Sequence, residues 1–300
     1  MPSTLRWLAS DGCTDDTLPM FLRMLGSLFA HPTRQRHEPP NDTATVGDAQ
    51  LYRMPLSRAP SVESTCKVCG GPASRFDVVD FNKHCADGDA YQFGLAGVPV
   101  YYSRCFDCGF IFTPHFDGWS AARFAADIYN QDYAKVDPEY ASARPLRAAE
   151  HFAAVFPDTR DVSILDYGAG SGTFASRLKE LGFPRVANFD PYSNPARPTS
   201  TFDVITCVEV MEHAPDPHAT IRDMLTFAHA HTRIVFTTLT QPDDIELRRA
   251  AWWYIAPRNG HVSIHSKRSL DALAAAHGLY FFEGDPFHVF AHDFNETRRG

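Results

Sequence analysis

Two groups of residues in this 300-residue chain have types and spacing suited to chemistry. The first is Ser163-Ile-Leu-Asp-Tyr-Gly-Ala-Gly-Ser-Gly-Thr-Phe174, where an apolar strand ends at Asp166 and glycines follow at 168, 170 and 172. Glycines at a strand-to-helix turn let the backbone bend sharply and let a ligand approach main-chain N–H groups at the helix N-terminus. The next expected strand ends at Asp190, whose carboxylate can accept both hydroxyls of a ribose. Strand, glycine loop, helix, strand and acid in this order predict a nucleotide-like ligand. A dinucleotide loop fits poorly, because Thr173 stands where its third glycine or alanine belongs. Asp166, two residues before the first glycine, repels a pyrophosphate and suits the cationic amino-acid end of a ligand.

The second group is Cys66-Lys-Val-Cys69-Gly-Gly with Cys105-Phe-Asp-Cys108-Gly. Two C-x-x-C pairs closing on one tetrahedral site are the usual arrangement for structural zinc, and all-thiolate ligation leaves no open position for a water. The glycines let backbone N–H groups turn towards sulfur. The 35 residues between the pairs imply a ribbon with an inserted hairpin. Redox pairs and free thiols are the weaker readings. Cys13, Cys85 and Cys207 have no partner at ligand spacing, and Cys207 reads as a strand-core residue. Seven cysteines, four of them in such pairs, point to a reducing cytosol rather than a disulfide framework.

The elements that must position these groups fall into four stretches. Residues 1–60 read as a flexible tail carrying a short amphipathic helix at 18–30, which can dock on the body or on a second subunit in a homo-oligomer. Residues 61–118 form the ribbon, with strands over 76–81 and 98–102. Its aromatic residues (Phe76, Phe81, Tyr91, Phe93, Tyr101, Tyr102, Phe106 and Phe110) read as core and ligand-pocket wall. Residues 119–159 switch to helical period. Ser120 caps one helix with Phe124 and Ile128 on a shared face; a second begins near Pro145 with Leu146, Ala149, Ala153 and Phe156 as its stripe.

From 160 to 296 strands and helices alternate, the signature of an α/β parallel sheet. Strands are expected at 162–166, 185–190, 202–207, 233–238, 280–284 and 288–293, and helices at 173–181, from Pro217 through Ala228, and at 269–277. Composition agrees with this plan. Apolar residues at 44% and charged residues at 21% exclude wholesale disorder, and a net charge of −8 disfavours nucleic-acid binding. No apolar run of about 18 residues predicts a membrane span, and the first residues carry no signal-peptide pattern, so a cytoplasmic protein is expected.

At the glycine loop the chain resembles the class I S-adenosylmethionine-dependent methyltransferases, a Rossmann-like α/β fold. Phe202-Asp-Val-Ile-Thr-Cys-Val-Glu-Val-Met-Glu-His-Ala-Pro-Asp-Pro217 looks like the fourth-strand segment of their small-molecule branch. The resemblance implies that Asp166, Gly168, Ala169, Gly170, Gly172, Asp190, Pro191 and Glu209 hold S-adenosylmethionine, with Glu212 and His213 on the same rim. One departure stands out. Eleven residues between Asp190 and Phe202 are too few for the usual third strand, so no adenine-contacting acid is assigned.

A zinc ribbon before such a domain resembles bacterial methyltransferases of sugars and other metabolites, which implies a sugar or nucleotide-linked sugar as methyl acceptor. Ribosomal-RNA or protein methylation, with the ribbon docking the substrate, is one rival; a non-catalytic cofactor-binding scaffold is the other. The acceptor is expected against Ala251-Trp-Trp-Tyr-Ile-Ala-Pro-Arg-Asn-Gly-His-Val-Ser-Ile-His265. There His261 is expected to face the cleft as general base, with Tyr254 and His213 beside it and Arg258 available to an anionic acceptor. Tyr129, Tyr133 and Arg144 are expected in a lid.

Overall fold

The computed structural model describes residues 64–85, 90–193 and 196–292. The helix expected at 18–30, the tail around it and Cys13 lie outside them. Strands β1 (Ser64–Thr65), β2 (Pro72–Asp80), β3 (Pro99–Cys105) and β4 (Ile111–Phe112) pair antiparallel in order. β2 buries Ala73, Phe76 and Val79, a spacing of three that a bulge between Arg75 and Asp77 makes compatible with a sheet. The loop between β2 and β3 does not stay with the ribbon: Lys83 is buried, and its ammonium donates to the carbonyls of Trp252 and Ile255.

Helices α1 (Ala121–Asp127), α2 (Tyr133–Val136) and α3 (Ala143–Val155) form the connector. The Ser120 hydroxyl accepts from Arg123 N–H, capping α1. The stripe expected on α3 is corrected: Leu146 is 39% exposed, and the buried face is Ala148, Ala149, Phe152 and Ala153. Phe152 sets that rotation, its ring meeting those of Phe174, Phe183 and Phe287.

The α/β part comprises β5 (Ile164–Tyr167), α4 (Thr173–Glu180), β6 (Val186–Phe189), β7 (Phe202–Val208), α5 (Pro217–Leu225), β8 (Ala228–Thr237), α6 (Ile245–Arg248), β9 (Ser263–Ile264), α7 (Lys267–Ala276), β10 (Tyr280–Phe282) and β11 (His288–Ala291). Its six-stranded sheet has the order β10-β11-β8-β7-β5-β6, with β5 to β8 parallel and β11 alone running antiparallel, against β8 on one side and β10 on the other. This is the Rossmann-like sheet that the resemblance implied, without a strand beyond β6, as the short 190–202 connection requires. Ala228, expected on a helix, opens β8 five residues before the expected strand, because α5 already stops at Leu225.

β9 does not join this sheet. It pairs antiparallel with β4, Ile111 opposite Ile264 and Phe112 opposite Ser263, so a segment beyond 160 completes the ribbon sheet. One core cluster runs from Cys66, Val68 and Phe110 to Leu165, Ile205 and Phe236; a second gathers Phe76, Tyr102 and Phe116 with Trp252, Tyr254 and Ile255. Of the ribbon aromatics, Phe76, Tyr102 and Phe110 are buried, whereas Tyr91, Phe93, Tyr101 and Phe106 are exposed and wall no interior pocket.

Candidate functional site

The parallel strands β5, β6 and β7 point their carboxyl ends at one rim, where open α/β sheets bind ligands. Gly168, Gly170 and Gly172 all take positive φ there. A Cβ on Gly168 would come 2.4 Å from Val210 Cγ2, and one on Gly172 2.6 Å from Asn188 Nδ2. One on Gly170 would meet nothing within 4 Å, so Gly170 borders open space. Ala169 N–H donates to Phe189 O, tying the loop to the end of β6. Asp166 is buried beneath it, and burial pushes its carboxyl up to about 7. Its Oδ2 has no hydrogen-bond partner, so a cationic group reaching it would find an unmet acceptor.

Asp190 is committed differently from the sequence expectation. Its Oδ2 accepts from Gly170 N–H at 2.9 Å, and its Oδ1 accepts from Tyr192 and Ser193 N–H at 2.8 Å each. Without a ligand it braces the glycine loop and the turn at Pro191, itself exposed. A ribose here would replace or share those donors.

Glu209 follows β7 with φ 56°, a left-handed conformation costing about 1–3 kcal/mol for a residue with a side chain. Thr237 Oγ1 holds it at both ends, accepting from Glu209 N–H at 2.9 Å and donating to Oε1 at 3.2 Å. Arg144 lies 3.8 Å from its Oε2 and is anchored by two bonds to Asp137, of 2.6 and 2.9 Å. Burial and then the charge of Glu212 raise Glu209 to about 7. Arg144, expected in a lid, thus lies beside Glu209, and Asp137, which anchors it, gave no signal in the sequence.

His261 is corrected: the residue is 6% exposed, so its ring is buried and does not face an open cleft. Gly260 at φ 85° turns the chain inward, and the Tyr102 hydroxyl donates to the His261 carbonyl at 2.7 Å. The ring packs on Tyr254 and His213, with centroids 4.3 and 4.9 Å away. Burial, then His213, holds its pKa well below 6.5, so it is neutral and a weaker base than an exposed histidine. Tyr254 is buried too, donating to Glu212 Oε1 at 2.7 Å.

Half-buried His213 lies nearer the rim, its Nδ1 3.1 Å from both Tyr129 Oη and the Gly260 carbonyl. The Tyr133 hydroxyl donates to Asn259 O, so both tyrosines expected in a lid hold this floor. The Arg258 guanidinium donates to Ile128 O at 3.2 Å through one of its nitrogens. Sequence reasoning missed Cys85, whose sulfur is 3.7 Å from His261 Nδ1 and whose N–H donates to Asn259 Oδ1. It has no ligand spacing in the chain; only the β2–β3 loop crossing over brings it here.

At the far end of the ribbon Cys66, Cys69, Cys105 and Cys108 bring their sulfurs within 4.8 Å of one another. Cys66 and Cys108 are 3.6 Å apart, and Cys69 and Cys105 3.4 Å, near the ~3.8 Å edge of a tetrahedron with Zn–S of about 2.3 Å. Val68 N–H points at Cys66 sulfur and Cys108 N–H at Cys105 sulfur, the donors a thiolate set needs.

Residues 139–283 match the family model described as a methyltransferase domain. A ubiquinone biosynthesis O-methyltransferase of Colwellia psychrerythraea is 28% identical over 107 residues, which are 27% of this chain and 43% of that protein. The chain therefore spans less than half the length of that relative. Among solved structures, the mitomycin 7-O-methyltransferase superposes with a TM-score of 0.43 at 14% identity, covering 58% of this chain and 60% of that one. The 1,6-didemethyltoxoflavin N1-methyltransferase of Burkholderia thailandensis, solved with S-adenosylhomocysteine, gives 0.41 at 13% identity, covering 62% and 95%. Over residues 139–283 the chain is thus similar to a methyltransferase domain.

Proposed function

We propose that the protein transfers the methyl group of S-adenosylmethionine to an oxygen of a small-molecule acceptor. The observation that carries this reading is the convergence on one rim of the open space at Gly170, the unmet carboxylate oxygen of Asp166, and Asp190 and Glu209. Asp166, Gly168, Ala169, Gly170, Gly172, Asp190, Pro191 and Glu209 are the residues that would hold it. Bound S-adenosylmethionine supplies an electrophilic methyl on a sulfonium. The glycine loop offers N–H groups, Asp166 offers a carboxylate to the amino group, and Asp190 offers oxygens to the ribose.

His213, half-buried at the rim, takes the acceptor-facing place, with Tyr254 and His261 fixing it from behind. Much of the acceleration in such a transfer comes from holding the acceptor oxygen in line with the methyl. A sugar or nucleotide-linked sugar is the acceptor class the ribbon order suggests, and the ubiquinone-biosynthesis relative, named an O-methyltransferase, supports an oxygen acceptor. The ribbon cysteines would hold one structural zinc, which fits a reducing, cytoplasmic setting. Among the described residues no helix is long and apolar enough to cross a membrane.

The test is calorimetry with S-adenosylhomocysteine, followed by transfer of labelled methyl to a panel of sugars, nucleotide sugars and phenols. Micromolar binding and label on one acceptor class are expected. Absence of binding overturns the reading.

A further inference from the structure

Glu212, His213 and His261 each bring one ligand-type atom within 4.8 Å of the other two. Their hydrogen bonds prepare those atoms in a consistent way. Tyr254 Oη donates to Glu212 Oε1, leaving Oε2 fully buried with no hydrogen-bond partner. His261 Nδ1 lies 2.8 Å from the Tyr254 carbonyl, and His213 Nδ1 lies 3.1 Å from the Gly260 carbonyl. A carbonyl only accepts, so each Nδ1 carries the proton, shared at His213 with Tyr129 Oη, and each Nε2 keeps its lone pair. The atoms left to a metal are therefore the two Nε2 lone pairs and Glu212 Oε2, none of them a donor. Imidazoles that bind metals are held in the same manner, the second nitrogen donating to a carbonyl.

We propose that Glu212, His213 and His261 bind a divalent transition-metal ion between Mn2+ and Zn2+ in character. Adjacent ligands around an ion at about 2.1 Å are about 3.0–3.4 Å apart, so the cluster, whose ligand atoms lie within 4.8 Å of one another, closes by an ångström or more on binding. Two imidazoles and a carboxylate suit such ions and leave coordination positions open. The inference rests on the methyltransferase reading for its consequence: the open positions select an acceptor with adjacent oxygens, a vicinal diol or an ortho-diphenol.

The experiment titrates Mn2+ into the full-length protein as purified and follows the free-ion resonance. Mn2+ is the probe because all-thiolate sites prefer softer ions. Saturable uptake of one ion per chain is expected, abolished in Glu212→Gln and in His261→Gln, and weakened about 10–100-fold in the milder Tyr254→Phe. Wild-type protein that takes up no Mn2+, or uptake that survives in all three variants, overturns the site. Calorimetry with S-adenosylhomocysteine on the same samples separates the two readings. Its binding without Mn2+ uptake sinks this inference alone, whereas Mn2+ uptake without its binding sinks the methyltransferase reading and leaves the metal site standing.

Discussion

The cysteine quartet draws both its pairs from short knuckles on neighbouring strands, whereas Glu212, His213 and His261 meet only because the chain after β8 folds back over the end of β7. Each knuckle carries its own N–H donors, so half of a four-sulfur site exists before the strands pair. The second cluster has no local precursor. It depends on Gly260 leaving room for Tyr129 and His213, on Tyr102 holding His261 by its carbonyl, and on Lys83 pinning the loop at Trp252 and Ile255. A closed, locally encoded cluster suits a structural role. An assembled one with open valences suits chemistry, and here the ribbon supplies part of its wall.

The largest expected effect tests whether the two regions are separable. Structural zinc contributes about 10–16 kcal/mol to the folding of small peptides. Cys66→Ser with Cys105→Ser should abolish hydrogen-exchange protection at 64–112 while the strands within 164–237 keep theirs. Because β9 pairs with β4, protection at 252–264 should fall as well. Loss confined to the ribbon would break the coupling described above.

Next in size is Asp190→Ala, which removes an acceptor of three backbone N–H groups and the expected ribose contact. Affinity for S-adenosylmethionine should fall by about 1.5–3 kcal/mol, the scale of hydrogen bonds to a charged group. An unchanged calorimetric affinity would take Asp190 out of the site. Gly260→Ala would place a Cβ 2.7 Å from Tyr129 Oη at φ 85°. A cost of about 1–3 kcal/mol in denaturant unfolding is expected, with S-adenosylhomocysteine affinity nearly unchanged.

A pH experiment probes the seam between the regions at His265, buried against the Phe110 ring with its pKa lowered to about 3 by burial. A lowered folded pKa means the unfolded chain binds the proton first. Stability from this group is complete above about 6.5 and is lost as pH falls towards about 3, by up to ~1.4 kcal/mol per unit. His265→Asn should flatten the wild-type slope in that window. The smallest effect is Tyr102→Phe, which removes the hydroxyl donated to the His261 carbonyl and should cost about 1 kcal/mol.

Much of the scaffold was legible in the sequence because its signals are local. The glycine loop after Ile164–Tyr167, the Pro217 helix start and the C-x-x-C pairs each act through neighbouring backbone, and the short connection after Asp190 foretold a sheet ending at β6. Leu146 and Ala228 were misplaced because a helical stripe admits neighbouring rotations and endpoints until a partner such as Phe152 packs.

The sequence by itself determined the class of fold, the cofactor-type loop and a four-cysteine cluster, since each needs only residue types at fixed short spacing. Tertiary structure decided that His261 is buried, that Arg258 turns to a backbone carbonyl, and that Cys85 and Lys83 reach the site from the ribbon loop. It also decided that Asp190 braces the glycine loop and that Glu212 keeps an unpaired oxygen beside two imidazoles. The reason is physical: burial and hydrogen-bond partners depend on segments up to 176 residues apart along the chain, as Cys85 and His261 are, and no local pattern records which of them will meet.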